Sequence, residues 1–252
     1  MRKIAATYIF PGNQPPIKNG ILTCSEDGTI IDNTVSENLG EQSGLEYYSG
    51  ILAPGFVNTH CHLELSHLKG KIEEKTGIGG FIGKINELRN QETVNPEKAI
   101  QIADRKMWAS GTAAVGDISN SNLSIDTKKS SKIFYHTFIE SFGFHPSRAE
   151  RAFDYAQFVQ FQFKAAGLAN SIVPHSPYSV SKPLFQKIKE NALIENSILT
   201  IHNQESESEQ QFFADGTGAI TNHLKNNLGL DISHWEPTGK SSLISVLEYL
   251  PA

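Results

Sequence analysis

The stretch GILAPGFVNTHCHLELSHL, Gly50 to Leu68, decides how this chain is read. An apolar run passes through Pro54 and Gly55, ends in two histidines one residue apart, and is followed at once by Leu63, Glu64 and His67. Alternate side chains leave the same face of a strand, so His60 and His62 point one way and Cys61 the other. Two imidazoles converging at a strand's C-terminal end make half of a metal site, because zinc gathers three or four nitrogen, sulfur or oxygen donors around one point.

Upstream of this stretch, KIAATYIF, GILTC and GTIIDN are short β-favouring runs separated by turn formers in PGNQPPIKNG and SEDGT. They predict a small β portion over residues 1–52. Downstream, residues 53–252 alternate apolar strands with longer helical segments. ILAPGFVNTH precedes the helical GGFIGKINELRNQE, and PEKAIQIADRKMWASG carries Pro96 in its first turn and Gly111 at its end. TAAVGDIS, KIFYHTFIES, NSIVPHS and SILTIHNQES read as further strands, with PSRAERAFDYAQFVQFQFKAAG and KPLFQKIKENALIEN as helices among them. Such alternation, with strands apolar on both faces, predicts an α/β fold with a parallel sheet of about five visible strands. An open doubly wound sheet and a closed (β/α)8 barrel both fit it. No glycine fingerprint follows the first strand, so a dinucleotide-binding reading lacks support. PTGKSS is discarded as a phosphate loop because His234 stands where its first glycine belongs.

The totals bound the partners. The 252 residues are 38% hydrophobic and 19% charged, the balance of an ordinary globular chain. A net charge of -5 argues against DNA or RNA as the main partner, which leaves small molecules as the expected ligands. No segment approaches the roughly 20 apolar residues of a bilayer span. The N-terminal MRKIAATYIFPGNQPP breaks at Pro11 before a signal core could form, and Cys24 and Cys61 make no disulfide framework. A cytoplasmic protein is expected.

Nine histidines are present, and their placement is the informative feature. His175 in SIVPHSPYS and His202 in ILTIHNQES each end a predicted strand, the edge from which (β/α)8 barrels assemble their active sites. Glu205 lies three residues beyond His202, where a carboxylate could carry a proton between an acidified water and a leaving group.

Together, APGFVNTHCHLELS, GTAAVGDIS, PHSPYSVS and IHNQES resemble the amidohydrolase superfamily, in particular its cytosine deaminase, chlorohydrolase and aminofutalosine deaminase branch, from about Gly20 onward. The resemblance implies a (β/α)8 barrel joined to a small β-sandwich built from sequence before and after the barrel. It places metal ligands on His60, His62 and His202, the proton-shuttling carboxylate on Glu205 and a substrate-contacting histidine on His175. It further implies one Zn2+ or Fe2+ that activates water to attack an amino-bearing ring carbon, with ammonia departing. Arg148 or Arg151, in GFHPSRAER, is a candidate for an anionic or ribosyl part of the substrate, and Glu64 and His67 are candidates for the pocket lining. HLELS is similar to aminofutalosine deaminases, which would make 6-amino-6-deoxyfutalosine the substrate.

Two elements of the family pattern, a histidine ending strand six and an aspartate ending strand eight, find no place. His223 and His234 follow His202 too soon and sit in polar sequence that reads as loop. The expectation is a barrel truncated before strand six, whose missing strands come from the rest of a longer chain or from a partner, since parallel edges left open invite pairing. Homodimers fit the resemblance. Two other functions stay open: a chlorohydrolase or cyclic-amide hydrolase using the same site, and a catalytically silent fragment or binding module.

Overall fold

The computed structural model describes residues 1–35, 43–89 and 95–251. The chain divides into two compact units, Met1–Phe56 and Val57–Ala252. The first is a five-stranded sheet. Strand β1 (Arg2–Ile9) pairs antiparallel with β2 (Ile17–Lys18) and β3 (Gly20–Cys24) and parallel with β5 (Leu45–Leu52), while β4 (Ile30–Val35) pairs with β3. Ala5 and Ile9 of β1 and Ile21 of β3, which pairs with Ala5, are buried on one face, and Ala6 and Cys24 are buried as well. The β3–β4 hairpin turns at SEDGT, where Gly28 takes φ +89° and Asp27 Oδ1 accepts from Thr29 N at 3.0 Å. The expected sandwich corresponds here to one sheet among the described residues.

The second unit is mixed α/β around a four-stranded sheet in the order β6 (Phe56–Cys61), β7 (Thr112–Ser119), β8 (Phe134–Ser141) and β9 (Ala169–Pro174). The β7–β8 and β8–β9 ladders are parallel. A 3-10 turn, Leu63–Leu68, follows β6 and leads to α1 (Gly77–Arg89) and α2 (Pro96–Ala109). Residues 90–92 of the first predicted helix lie outside the described residues. Helix α2 starts at Asn95, whose side chain accepts from Lys98 N at 3.1 Å, with proline at the first helical position where no amide donor is needed. Helices α3 (Ile125–Ser130), α4 (Ala149–Ala165) and α5 (Lys182–Glu195) follow β7, β8 and β9 in turn. Phe153, Ala156, Val159 and Phe163 of α4 and Leu184 and Ile188 of α5 pack with Ile139 and Ile172 of the sheet. Burying one such side chain is worth about 1.5–3 kcal/mol, which is why this helix face, and no propensity, fixes where the helices lie.

Two expectations need correction. SILTIHNQES forms no ladder: residues 197–203 have no regular structure and lie beside β9, tied by His202 N to His175 O at 2.9 Å and by Ser171 Oγ to Ile198 O at 2.7 Å, and the chain bends at Gln204, where φ is +57°. The segment has strand composition, but these bonds do not repeat along it, so the sheet has four strands among the described residues where about five were expected. His223 is not in a loop. It opens a helical turn, His223–Asn227, that continues α7 (Gly218–Asn222). Leu224 there joins Phe144, Tyr178, Phe212, Phe213 and Ile220 in a second apolar cluster with α6 (Glu207–Asp215), and Trp235 stacks on Phe212 with ring centroids 3.8 Å apart. The short α8 (Ser242–Val246) runs into a 3-10 turn, Leu247–Tyr249.

Candidate metal centre

The C-terminal ends of β6, β8 and β9 and the segment after α5 open into one cavity of about 640 Å³. His60 and His62 leave β6 on the same side, their ring centroids 5.1 Å apart, and the His202 ring stands 4.9 Å from His60 and 5.1 Å from His62. One donor atom from each of these three rings lies within 4.8 Å of the others, a group able to hold a divalent cation. Burial holds His62 neutral, with its pKa lowered to about 4, and lowers that of His60 as well. Neutral imidazole is the form that binds a metal. For His202 burial works the same way, but the Glu140 and Glu205 carboxylates outweigh it and raise its pKa.

The turn that aims β6 is built from buried polar groups. Asp117, near the end of β7, accepts from Leu63 N at 2.7 Å through Oδ1, while its Oδ2 lies 2.6 Å from Lys128 Nζ, both side chains being fully buried. Lys128 also donates to Thr137 Oγ1 at 2.9 Å. Gly116 permits a close approach of β6, since a Cβ there would lie 2.8 Å from the backbone oxygen of Thr59. Cys61 points away from the histidines, and burial with Asp117 pushes its thiol up to about 12.

His175 follows β9 and is held through its backbone N to Ser141 O at 3.1 Å. Its Nδ1 lies 2.6 Å from Ser179 Oγ and 3.0 Å from Ser176 Oγ, which leaves Nε2 for the cavity. Glu205 accepts from Tyr178 Oη at 2.9 Å through Oε2, and its Oε1 is 3.8 Å from His202 Nδ1. The backbone carrying Glu205 is clamped by Glu209, whose buried carboxylate accepts from Gln204 N at 3.0 Å and Glu205 N at 2.8 Å. Ser206 caps α6 by accepting from Glu209 N at 3.3 Å, a capping-box pair redirected onto the loop before it.

Five of the expected residues, His60, His62, His175, His202 and Glu205, thus border one cavity, and Arg148 reaches its mouth from the start of α4. Arg151 borders a neighbouring cavity instead. Glu64 and His67 do not line the pocket. The Glu64 carboxylate is buried and accepts from Asn120 N, Ser121 N and Ser121 Oγ at 2.8–3.2 Å, which ties the turn after β6 to the loop after β7. The His67 Nδ1 lies 2.9 Å from Glu64 O within the same turn. Both residues are thus engaged by their own turn and its neighbour.

Reading the histidines alone misses Glu140. It lies at the C-terminal end of β8 with its side chain 5% exposed and Oε1 2.9 Å from His202 Nε2. The imidazoles of His202 and His175 and the Asn120 amide overcome the burial that would raise its pKa and lower it instead. The signal was present, since FIES ends a predicted strand at the same edge as the histidines. Also unforeseen is an apolar wall formed by Ile78, Phe81, Ile82 and Ile85 of α1 with Ile220 and Leu224.

No family model matches the chain. An adenosine deaminase of Helicobacter pylori (strain ATCC 700392 / 26695) is 27% identical over 237 residues, 89% of this chain and 56% of that protein. The crystal structure of Helicobacter pylori aminofutalosine deaminase in complex with methylthio-coformycin superposes with a TM-score of 0.78 at 22% identity, covering 92% of this chain and 58% of that one. The zinc complex of atrazine chlorohydrolase from Arthrobacter aurescens TC1 gives 0.69 at 13% identity, covering 94% and 56%. The chain spans just over half the length of these proteins. In sequence its relatives are deaminases, and in fold its neighbours are deaminases and chlorohydrolases, so the resemblance to the amidohydrolase superfamily read from four short motifs extends to the whole of the aligned chain.

Proposed function

We propose that this chain carries the metal-holding part of an aminohydrolase that releases ammonia from an amino-substituted heterocycle or nucleoside. The observation that carries the reading is the meeting of His60, His62 and His202 at the cavity floor. The donor chemistry fits Zn2+ or Fe2+: three imidazoles, two of them held neutral by burial, with carboxylates beside them. When bound at such a site, a divalent cation supplies an acidified water near neutral pH.

The chain's own groups supply the rest. Glu205 keeps Oε2 fixed by the Tyr178 hydroxyl and leaves Oε1 toward His202, positioned to accept a proton and return it to the departing amine. His175 Nε2 contacts the ring of the substrate, its Nδ1 being occupied by Ser176 and Ser179. Arg148 at the mouth takes a ribosyl or anionic arm, and the apolar wall of α1 excludes water from the ring. The named activities of sequence relatives, adenosine deaminase in Helicobacter pylori and aminodeoxyfutalosine deaminase in a Nitratiruptor species, favour deamination over chlorohydrolysis and favour an adenine-type substrate. Residues 1–52 are the small β portion and 53–252 the barrel portion; an incomplete (β/α)8 barrel beside part of a β-sandwich accounts for the share of each neighbour that is covered.

The test is ammonia release from adenosine, S-adenosylhomocysteine and aminodeoxyfutalosine by the full-length protein. Glu205→Gln should retain the metal and lose roughly 100-fold or more in kcat, and His60→Ala should lose activity to a similar or greater extent, because the ion is no longer held where Glu205 can serve it. Silence of the metal-loaded protein on every substrate would refute deamination.

A further inference from the structure

Beside the histidine triad, the structure assigns a second cation seat to Glu140, His175 and His202, shared with the first at His202. One donor atom of each of the three lies within 4.8 Å of the others. Glu140 Oε1 stands 2.9 Å from His202 Nε2 and 3.9 Å from His175 Nε2. That oxygen is buried and makes no hydrogen bond of good geometry among the described residues, its contact with His202 being a close ion pair. Its twin Oε2 is satisfied by Asn120 Nδ2 at 2.8 Å. One oxygen of a carboxylate whose side chain is 5% exposed is therefore aimed between two ring nitrogens. Buried polar atoms in folded chains almost always find a partner, and a bare carboxylate oxygen is the costliest to leave alone.

The three groups are fixed to meet there. His175 Nδ1 is occupied by Ser176 and Ser179, which leaves Nε2, the atom offered to the substrate, facing the seat when no substrate is bound. The backbone bonds His175 N to Ser141 O and His202 N to His175 O hold the tip of β8, the tip of β9 and the segment after α5 in register. Two imidazoles and one carboxylate are a donor set that zinc and ferrous iron accept, with open positions left for water or a ligand. The seat rests on the metal reading above for the kind of ion, and on its own residues for its existence. With His202 common to both, the chain offers a cation two adjacent positions, so that losing the β6 histidines shifts the ion instead of releasing it.

The experiment is a titration of the metal-stripped full chain with Co2+ and with Zn2+, followed by the cobalt absorption spectrum, calorimetry and metal content after dialysis, with circular dichroism to check folding. His60→Ala/His62→Ala should keep close to one equivalent, with an altered cobalt spectrum, and adding Glu140→Gln should weaken its Kd by ~10-fold or more. Should the double variant not fold, single Glu140→Gln and Glu140→Asp replace it: the amide should weaken binding and the shorter carboxylate restore part of it. A folded double variant that binds no ion, or Glu140 variants all equal to the parent, would overturn the second seat and leave the first intact. Full-affinity binding untouched by the double variant but lost with Glu140→Gln would sink the first triad and sustain the second.

Discussion

Glu209 belongs to the acidic run ESESE, which reads as a solvated loop, yet it is fully buried and both its oxygens accept backbone amides next to Glu205. Composition could not reveal this, because burial depends on how α6, through Phe212 and Phe213, packs with Phe144 and Tyr178. Replacing Glu209 by alanine leaves two amides without acceptors, at about 1–3 kcal/mol each. We expect urea unfolding of E209A to show that loss, and the kcat of the full-length protein to fall more than KM changes, because the loop bearing Glu205 is released. Glu140 was opaque for a similar reason. Its spacing in FIES is legible, but its partners His175 and His202 are 35 and 62 residues away (175 − 140 and 202 − 140). The histidines were legible because strand alternation alone puts His60 and His62 on one side.

Between elements, the pair Asp117–Lys128 joins β7 to α3 and holds the first amide of the turn after β6. Removing one partner of a buried pair costs about 3–5 kcal/mol, because the other charge stays buried and unpaired. Lys128→Met should therefore lower stability by that amount in denaturant titrations, far more than a surface lysine change would. Gly116→Ala is a subtler probe: its Cβ would meet the Thr59 carbonyl, so β6 must shift away from β7. We expect weaker cation binding by the full chain, with secondary structure kept by circular dichroism. Most elements were readable from periodicity and end signals, such as Pro96 in the first turn of α2 and Gly111 just past its end. The segment SILTIHNQES was not, since strand propensity says nothing about whether a ladder partner is present.

At the scale of the whole molecule, the sheet edge at β6 carries apolar side chains in solvent: Phe56 is 67% and Val57 65% exposed. Beyond β9, Ile198 is 67% exposed. Open parallel edges with apolar side chains associate. The 252-residue chain should self-associate with rising concentration in sedimentation velocity, and Val57→Lys should reduce that association without altering cation binding. The alternation of strands and helices made the α/β class legible. It could not say which strands close the sheet.

Trp235, stacked on Phe212 beside the apolar wall of the cavity, gives the molecule a built-in optical reporter. The other tryptophan, Trp108, is 45% exposed on α2 and contributes a steady, red-shifted background. A nucleoside entering the cavity would perturb the emission of the stacked indole alone, so occupancy can be followed by intrinsic fluorescence before any turnover assay exists.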